Sequence, residues 1–180
     1  MPYYHCSPTP GLTVLQPRKP EVFQKPAYVY MTTSLPMALM YGVRNFEYTY
    51  GYTKAGQIYL EEYFPNALEL LYRGRAASLY LCAPEKTACT RIPNEVVSEL
   101  PVRIVEEKHI PDVYDALLEQ IRLGNLLLRP YACLPAATLE WIRQAEADTI
   151  RKHGLRYKTG PMSDYYRTHY PQSWELAAAE

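Results

Sequence analysis

Neither sign of charge prevails in this chain: 19 Lys and Arg balance 19 Asp and Glu over 180 residues. That balance excludes a whole-molecule electrostatic footprint for nucleic acid and leaves only local patches to consider. No run of about 18 apolar residues occurs, so nothing reads as a membrane span. The opening Met-Pro-Tyr-Tyr-His-Cys has neither a charged n-region nor an apolar h-region. No secretory signal is read there, and a cytoplasmic location without membrane contact is expected. Cysteine is scarce, with Cys6, Cys82, Cys89 and Cys133 and no Cys-x-x-Cys among them. No histidine lies at zinc-like spacing from these four, so they read as reduced thiols and no metal is expected. Phenylalanine is nearly missing, at 3 against 18 tyrosines. Tyrosine joins a flat apolar face to a polar tip, which suits half-buried sheet surfaces and ligand stacking alike. What is present is enough for a core: 48% hydrophobic residues against 21% charged argues against wholesale disorder.

Local patterns divide the chain at about residue 107. Residues 2–7 read as a strand, and the stretch from Pro8 to Pro26 is too rich in proline and glycine for regular structure. Tyr28 to Thr32 is β-rich. Ser34 caps a helix that tolerates Pro36 in its first turn, runs through Tyr41 and stops near Gly42. Phe46 to Tyr52 and Gln57 to Tyr63 alternate around a Thr53-Lys-Ala-Gly56 loop, which predicts a hairpin. A short helix over 66–72 ends at Gly74. Strands follow at 77–82, at 88–92 and from Glu95 through Glu107, the last bent at Pro101. After Ile110 the period becomes helical. Pro111, with Asp112 and Asp115 in the first turn, opens a helix closed by Gly124. A second helix runs from Pro135 to about His153 with Gly154 as its cap, and a short one spans about 163–170 before an alanine-rich tail. The expected organisation is an α+β core over 1–107 and a helical extension over 108–180, forming one globular unit.

Taken singly, the residues that could carry chemistry have ordinary readings. His5 and Ser7 suit a surface histidine and a turn hydroxyl. Tyr30 and Tyr41, eleven apart on a strand and the following helix, can line one cleft and hold a flat cationic ring by stacking and cation–π attraction. Glu95 sits between Pro93 and a Val-Val pair, a poor place for a carboxylate unless it points to solvent or a site.

Together they form a pattern. Tyr4-His5-Cys6-Ser7 resembles the opening strand of the histidine-class ADP-ribosyltransferases, the diphtheria-toxin and poly(ADP-ribose)-polymerase kind. Val29-Tyr30-Met31-Thr32 followed by Ser34 to Tyr41 resembles that family's second motif, and Asn94-Glu95-Val96-Val97 its third. The resemblance covers about residues 2–105. It implies split antiparallel sheets with small helices, plus the C-terminal helices, and a mono-ADP-ribosyltransferase that uses NAD⁺ as substrate and no metal. By the same resemblance His5, Tyr30 and Glu95 are catalytic, while His5, Cys6, Ser7, Tyr30 and Tyr41 hold NAD⁺. His5 bonds a ribose hydroxyl, Ser7 and the main chain at Cys6 take the carboxamide, and the two tyrosines sandwich the nicotinamide. Glu95 bonds the ribose 2′-hydroxyl and stabilises the positive charge developing there. Cys6 stands where the family has glycine, no glycine precedes Tyr30, and the segment between His5 and Tyr30 is short and proline-rich.

Two further functions fit the same residues: NAD⁺ glycohydrolysis, and a non-enzymatic domain that binds a nucleotide or a partner. The acceptor is left open between protein and nucleic acid. Analogy with small free-standing transferases suggests a bacterial toxin or phage-conflict effector, with an antitoxin or immunity partner. Residues 151–170 hold Arg151, Lys152, Arg156, Lys158 and Arg167 against Asp164, interleaved with tyrosines. Such a segment is a solvated helix end or a strand-binding patch.

Overall fold

The computed structural model describes residues 2–19 and 26–178; residues 20–25 of the proline-rich stretch lie outside them. The chain is mixed α and β, with antiparallel sheets and several helices. It divides into two compact units, the first made of 1–48, 52–58 and 68–127, the second of 49–51, 59–67 and 128–180. The expected break at residue 107 falls within a strand, and the helix that follows belongs to the first unit.

The first unit is built on a seven-stranded sheet. Its strands are β1 (Tyr3–Ser7), β2 (Val14–Leu15), β3 (Val29–Thr32), β6 (Ala77–Ala83), β7 (Ala88–Cys89), β8 (Glu95–Ser98) and β9 (Val102–Ile110). A second sheet joins β4 (Tyr50–Tyr52), β5 (Ile58–Glu61) and β10 (Leu127–Arg129) in the order β10-β5-β4. The large sheet runs β2-β9-β6-β1-β3-β8-β7. β1 is the hinge of this order. Against β6 it keeps register over five pairs, Tyr3↔Cys82 to Ser7↔Ser78, whereas against β3 the register pair is Tyr4↔Thr32. Thr32 is in turn opposite Glu95 on β8, so Tyr4, Thr32 and Glu95 form one row across three strands.

The expected single strand from Glu95 to Glu107 is two strands. The Ser98 hydroxyl donates to the Leu100 carbonyl (2.9 Å) and accepts from the Leu100 N–H (3.1 Å). That local turn, followed by Pro101, stops pairing with β3 and lets the chain re-enter the sheet between β2 and β6. The core between the strands holds Leu15, Val29, Met31, Tyr80, Cys82, Val96 and Val102.

Helix α1 (Leu35–Tyr41) follows β3 directly. Ser34 is its N-cap, accepting from the Met37 N–H, and Pro36 sits in the first turn where a missing N–H costs nothing. Met37 to Met40 are all buried. α2 (Ala67–Tyr72) and α3 (Val113–Arg122) complete the helices of this part of the chain, and Asp112, expected inside the first turn of α3, is its N-cap.

The second unit holds most of the smaller sheet and the helices α4 (Ala136–His153), α5 (Pro161–His169) and α6 (Pro171–Leu176), the last where only a weak tail was expected. Gly154 ends α4 at φ 60, a left-handed conformation that glycine adopts without a Cβ penalty. Four cations of the basic segment have partners within it or on the neighbouring helices. Arg151 donates to the Leu176 carbonyl and pairs with Asp148, and Arg156 donates to the Trp174 carbonyl beside the Trp174 ring. These two guanidiniums sit on the carbonyl end of α6, the end that favours positive charge. Lys158 donates to the His153 carbonyl (2.7 Å) and Arg167 pairs with Asp164 (2.6 Å). Arg151, Arg156 and Lys158 thus bind backbone carbonyls at a helix end and a turn, while Lys152 and Lys158 remain exposed.

Candidate active site

One cleft of about 670 Å³ gathers His5 and Cys6 from β1, Tyr30 from β3, Tyr41 from α1, and Glu95 from β8. All of it lies in the first unit. The four elements converge because β1 and β8 flank β3, and α1 leaves β3 after only two residues, Thr33 and Ser34.

His5 is half-buried, and its Nδ1 lies 3.0 Å from the Tyr30 carbonyl oxygen. A carbonyl can only accept, so Nδ1 carries the proton and Nε2 of the neutral ring is left as an acceptor. Burial holds the imidazole below its ordinary pKa, partly offset by that bond, with Arg18 acting in the same direction as burial. The neutral, Nδ1-protonated form is thus set by the fold.

Glu95 is half-buried at the start of β8. The Thr90 hydroxyl donates to its Oε1 (2.8 Å) while accepting from the Ile92 N–H (3.0 Å), which fixes the carboxylate from one side. Burial raises the pKa of the Tyr30 hydroxyl, and the Glu95 charge adds to the effect. Burial also raises the pKa of Tyr52, a hydrogen bond with Asn94 opposes it, and the Glu95 charge adds a smaller rise. The Glu95 carboxylate is therefore felt at two phenols.

Tyr30 and Tyr41 are each 37% exposed, although both come from well-packed elements. Tyr30 packs edge-on to Tyr28 (6.1 Å between centroids), and Tyr41 packs on Tyr48 (4.5 Å). Tyr48 lines the cleft as well, anchored by its hydroxyl to the Val43 carbonyl (2.8 Å). Nothing in the sequence pattern marks Tyr48; it falls in a segment that reads as a plain strand.

Cys6 lies on the cleft wall, but its thiol is directed into the packing and burial pushes its pKa up to about 12. A Cβ built on Gly42 would come within 2.7 Å of Cys6 Sγ, 3.0 Å of the Leu39 carbonyl and 3.1 Å of the Ala77 Cβ. The absent side chain at position 42 thus makes room for the thiol at position 6. Gly42→Ala is expected to cost about 1–3 kcal/mol through overpacking. In a double-mutant cycle with Cys6→Ala, urea unfolding should show the pair costing less than the two changes added; strict additivity would mean the two sites are independent.

Ser7 does not line this cleft. Its hydroxyl accepts from the Thr9 N–H (3.2 Å), and it lines an adjoining cavity of about 530 Å³ that shares His5 and Tyr30 with the first. That second cavity holds Arg18, Lys19 and Arg44 and no acidic residue among the described ones. Its wall includes Thr9 and Leu12, and the loop that carries them is tied down from the sheet. The Tyr80 hydroxyl donates to the Thr9 carbonyl (2.6 Å), and both Glu107 carboxylate oxygens lie 3.1 Å from the Gly11 N.

Among the described residues no group of three or more His, Cys, Asp and Glu is placed to hold a metal ion, and no helix is long and apolar enough to cross a membrane. Comparison of the chain with protein-family models, with curated proteins and with solved structures finds no match.

Proposed function

We propose that the chain is an NAD⁺-dependent mono-ADP-ribosyltransferase that moves ADP-ribose to a macromolecular acceptor. The observation that carries this reading is the meeting of His5, Tyr30, Tyr41 and Glu95 in one cleft, beside a second cavity whose charged groups, among the described residues, are Arg18, Lys19 and Arg44. The nicotinamide half of NAD⁺ would lie between the exposed tyrosine faces, where a cationic ring gains from π density. The ADP half would follow the adjoining cavity, with Arg18, Lys19 and Arg44 near the pyrophosphate. His5 Nε2 would accept a hydrogen bond from a ribose hydroxyl. The carboxamide falls to the main chain at Cys6, since Ser7 is spent on the Thr9 turn.

The chemistry asks little more. Breaking the nicotinamide–ribose bond builds positive charge on the ribose, as in glycoside cleavage. A carboxylate fixed by Thr90 before the reaction starts stabilises that charge without reorganising. Nicotinamide leaves neutral and needs no acid.

The role given to His5 fixes a pH dependence. An ordinary histidine is half protonated near pH 6.5, roughly. The pKa of folded His5 lies lower, so its acceptor lone pair persists through that value and is lost only as pH falls further. The KM for NAD⁺ should stay flat from alkaline pH down past about 6.5 and rise below it. A rise that begins above neutrality would exclude neutral His5 as the ribose contact. Stability follows the same sign, because a histidine whose pKa is depressed on folding contributes above its unfolded value and loses that contribution in acid.

The reading is tested by mass spectrometry of total protein and RNA from cells expressing the chain. ADP-ribose adducts absent from cells expressing Glu95→Gln support it. No adduct in either, with intact NAD⁺ pools, overturns it.

A further inference from the structure

A third depression of about 560 Å³ shares Tyr4 with the tyrosine cleft and no lining residue with the cationic cavity. The three depressions follow one another along the first unit. The cationic cavity joins the cleft through His5 and Tyr30, and the cleft joins this groove through Tyr4. Glu95 lines the cleft, while its chain neighbour Asn94, just before β8, lines the groove. Its polar lining is Thr33, Ser34, Gln57, Asn94, Gln120 and Asn125, with no Asp, Glu, Lys or Arg among the described residues. Several of these groups are held in place. Thr33 N–H donates to the Asn94 carbonyl (2.9 Å), Gln57 Nε2 to the Gly124 carbonyl (2.7 Å), and Asn125 Nδ2 to Gln120 Oε1 (3.0 Å).

We infer that this groove receives the acceptor, and that the acceptor is an aliphatic hydroxyl of a protein, from serine or threonine. The inference rests on the transferase reading above. If the dinucleotide fills the cationic cavity and the cleft, the groove that shares Tyr4 with the cleft is left for the acceptor. Its chemistry then selects. A phosphate-bearing acceptor needs cations, an arginine or lysine acceptor a carboxylate, and an aspartate or glutamate acceptor a cation; the groove has none of these. Fixed amides and hydroxyls match a neutral group that both donates and accepts.

The step balances without a further reagent. The acceptor oxygen bonds to C1′ of the nicotinamide ribose as the C1′–N bond breaks, and the electron pair of that bond leaves with neutral nicotinamide. The hydroxyl proton passes to the Glu95 carboxylate and then to water.

The test uses the full chain, NAD⁺ labelled in the adenine, and short acetylated peptides identical except for one central residue: Ser, Thr, Arg, Lys, Glu or Cys. A single-stranded RNA with a 5′-phosphate completes the panel, and nicotinamide release is measured in every tube. Label on the Ser and Thr peptides about tenfold or more above every other probe supports the inference. Label chiefly on a charged peptide, on the Cys peptide or on RNA overturns it, as does nicotinamide release with no label on any probe. Absence of nicotinamide release is a distinct result, and overturns the transferase reading itself. Asn125→Trp, which fills the groove, should lower the ratio of peptide label to nicotinamide about tenfold. An unchanged ratio places the acceptor elsewhere.

Discussion

Glu95→Gln is expected to slow nicotinamide release by about 10²–10³-fold while leaving the Kd for NAD⁺ within a few-fold. The amide is nearly isosteric and can still accept a bond from Thr90, whose hydroxyl now donates to Glu95 Oε1 at 2.8 Å. What it lacks is charge, which in the proposed reaction acts as the ribose becomes cationic and as the acceptor loses its proton, neither of them a ground-state contact. Ground-state binding is therefore spared and the transition state is not. Glu99→Gln is the matched control, since Glu99 is exposed just beyond the end of β8 and lines none of the three depressions. Near-normal turnover in the Glu95 variant, with loss in the Glu99 variant, would mean that the wrong carboxylate has been assigned.

Tyr41→Ala is expected to raise the KM for NAD⁺ more than it lowers Tm. Loss of one stacking face for a cationic ring costs about 1–2 kcal/mol at a partly desolvated site, or about five- to thirtyfold in affinity. Tyr41 is 37% exposed at the last residue of α1, whose buried face is made by Met37 to Met40. Truncating it should leave that face intact. The measurement is KM set beside a thermal melt on the same preparation; a large fall in Tm with unchanged KM would make Tyr41 a packing residue for Tyr48.

The parts of this fold that were legible in the sequence are those written in short-range chemistry. Ser34, Pro36 and Gly42 bracket α1 by capping and by the missing proline N–H, and β-forming side chains mark β3. Gly74 and Gly154 mark helix ends because a left-handed residue is needed there. What was not legible depends on partners far away in the chain. β2 is two residues inside a stretch rich in proline and glycine, and exists because β9 offers it an edge at Arg103 and Val102. β8 and β9 read as one bent strand because both halves alternate; the turn at Ser98 sends them to different neighbours. α6 was not expected, and its end is held by Arg151 and Arg156, which as sequence read only as positive charge.

The candidate site divides in the same way. His5, Tyr30, Tyr41 and Glu95 were found through motif order and the eleven-residue spacing, and they do share a cleft. Tyr48, Thr90 and the cations Arg18, Lys19 and Arg44 were missed, since each acts through a contact that no local pattern encodes. Cys6 in place of glycine seemed to put a side chain where a ligand should approach. In the structure the thiol lies against Gly42, thirty-six positions on, whose missing side chain makes room for it.

The most direct test of the central claim is nicotinamide release from NAD⁺ by the purified full chain, followed by chromatography over time. The account predicts release that saturates with NAD⁺, needs no added metal, and falls by about 10²–10³-fold in Glu95→Gln. Wild-type protein that leaves NAD⁺ intact, or a Glu95→Gln variant that releases nicotinamide at the wild-type rate, would contradict it.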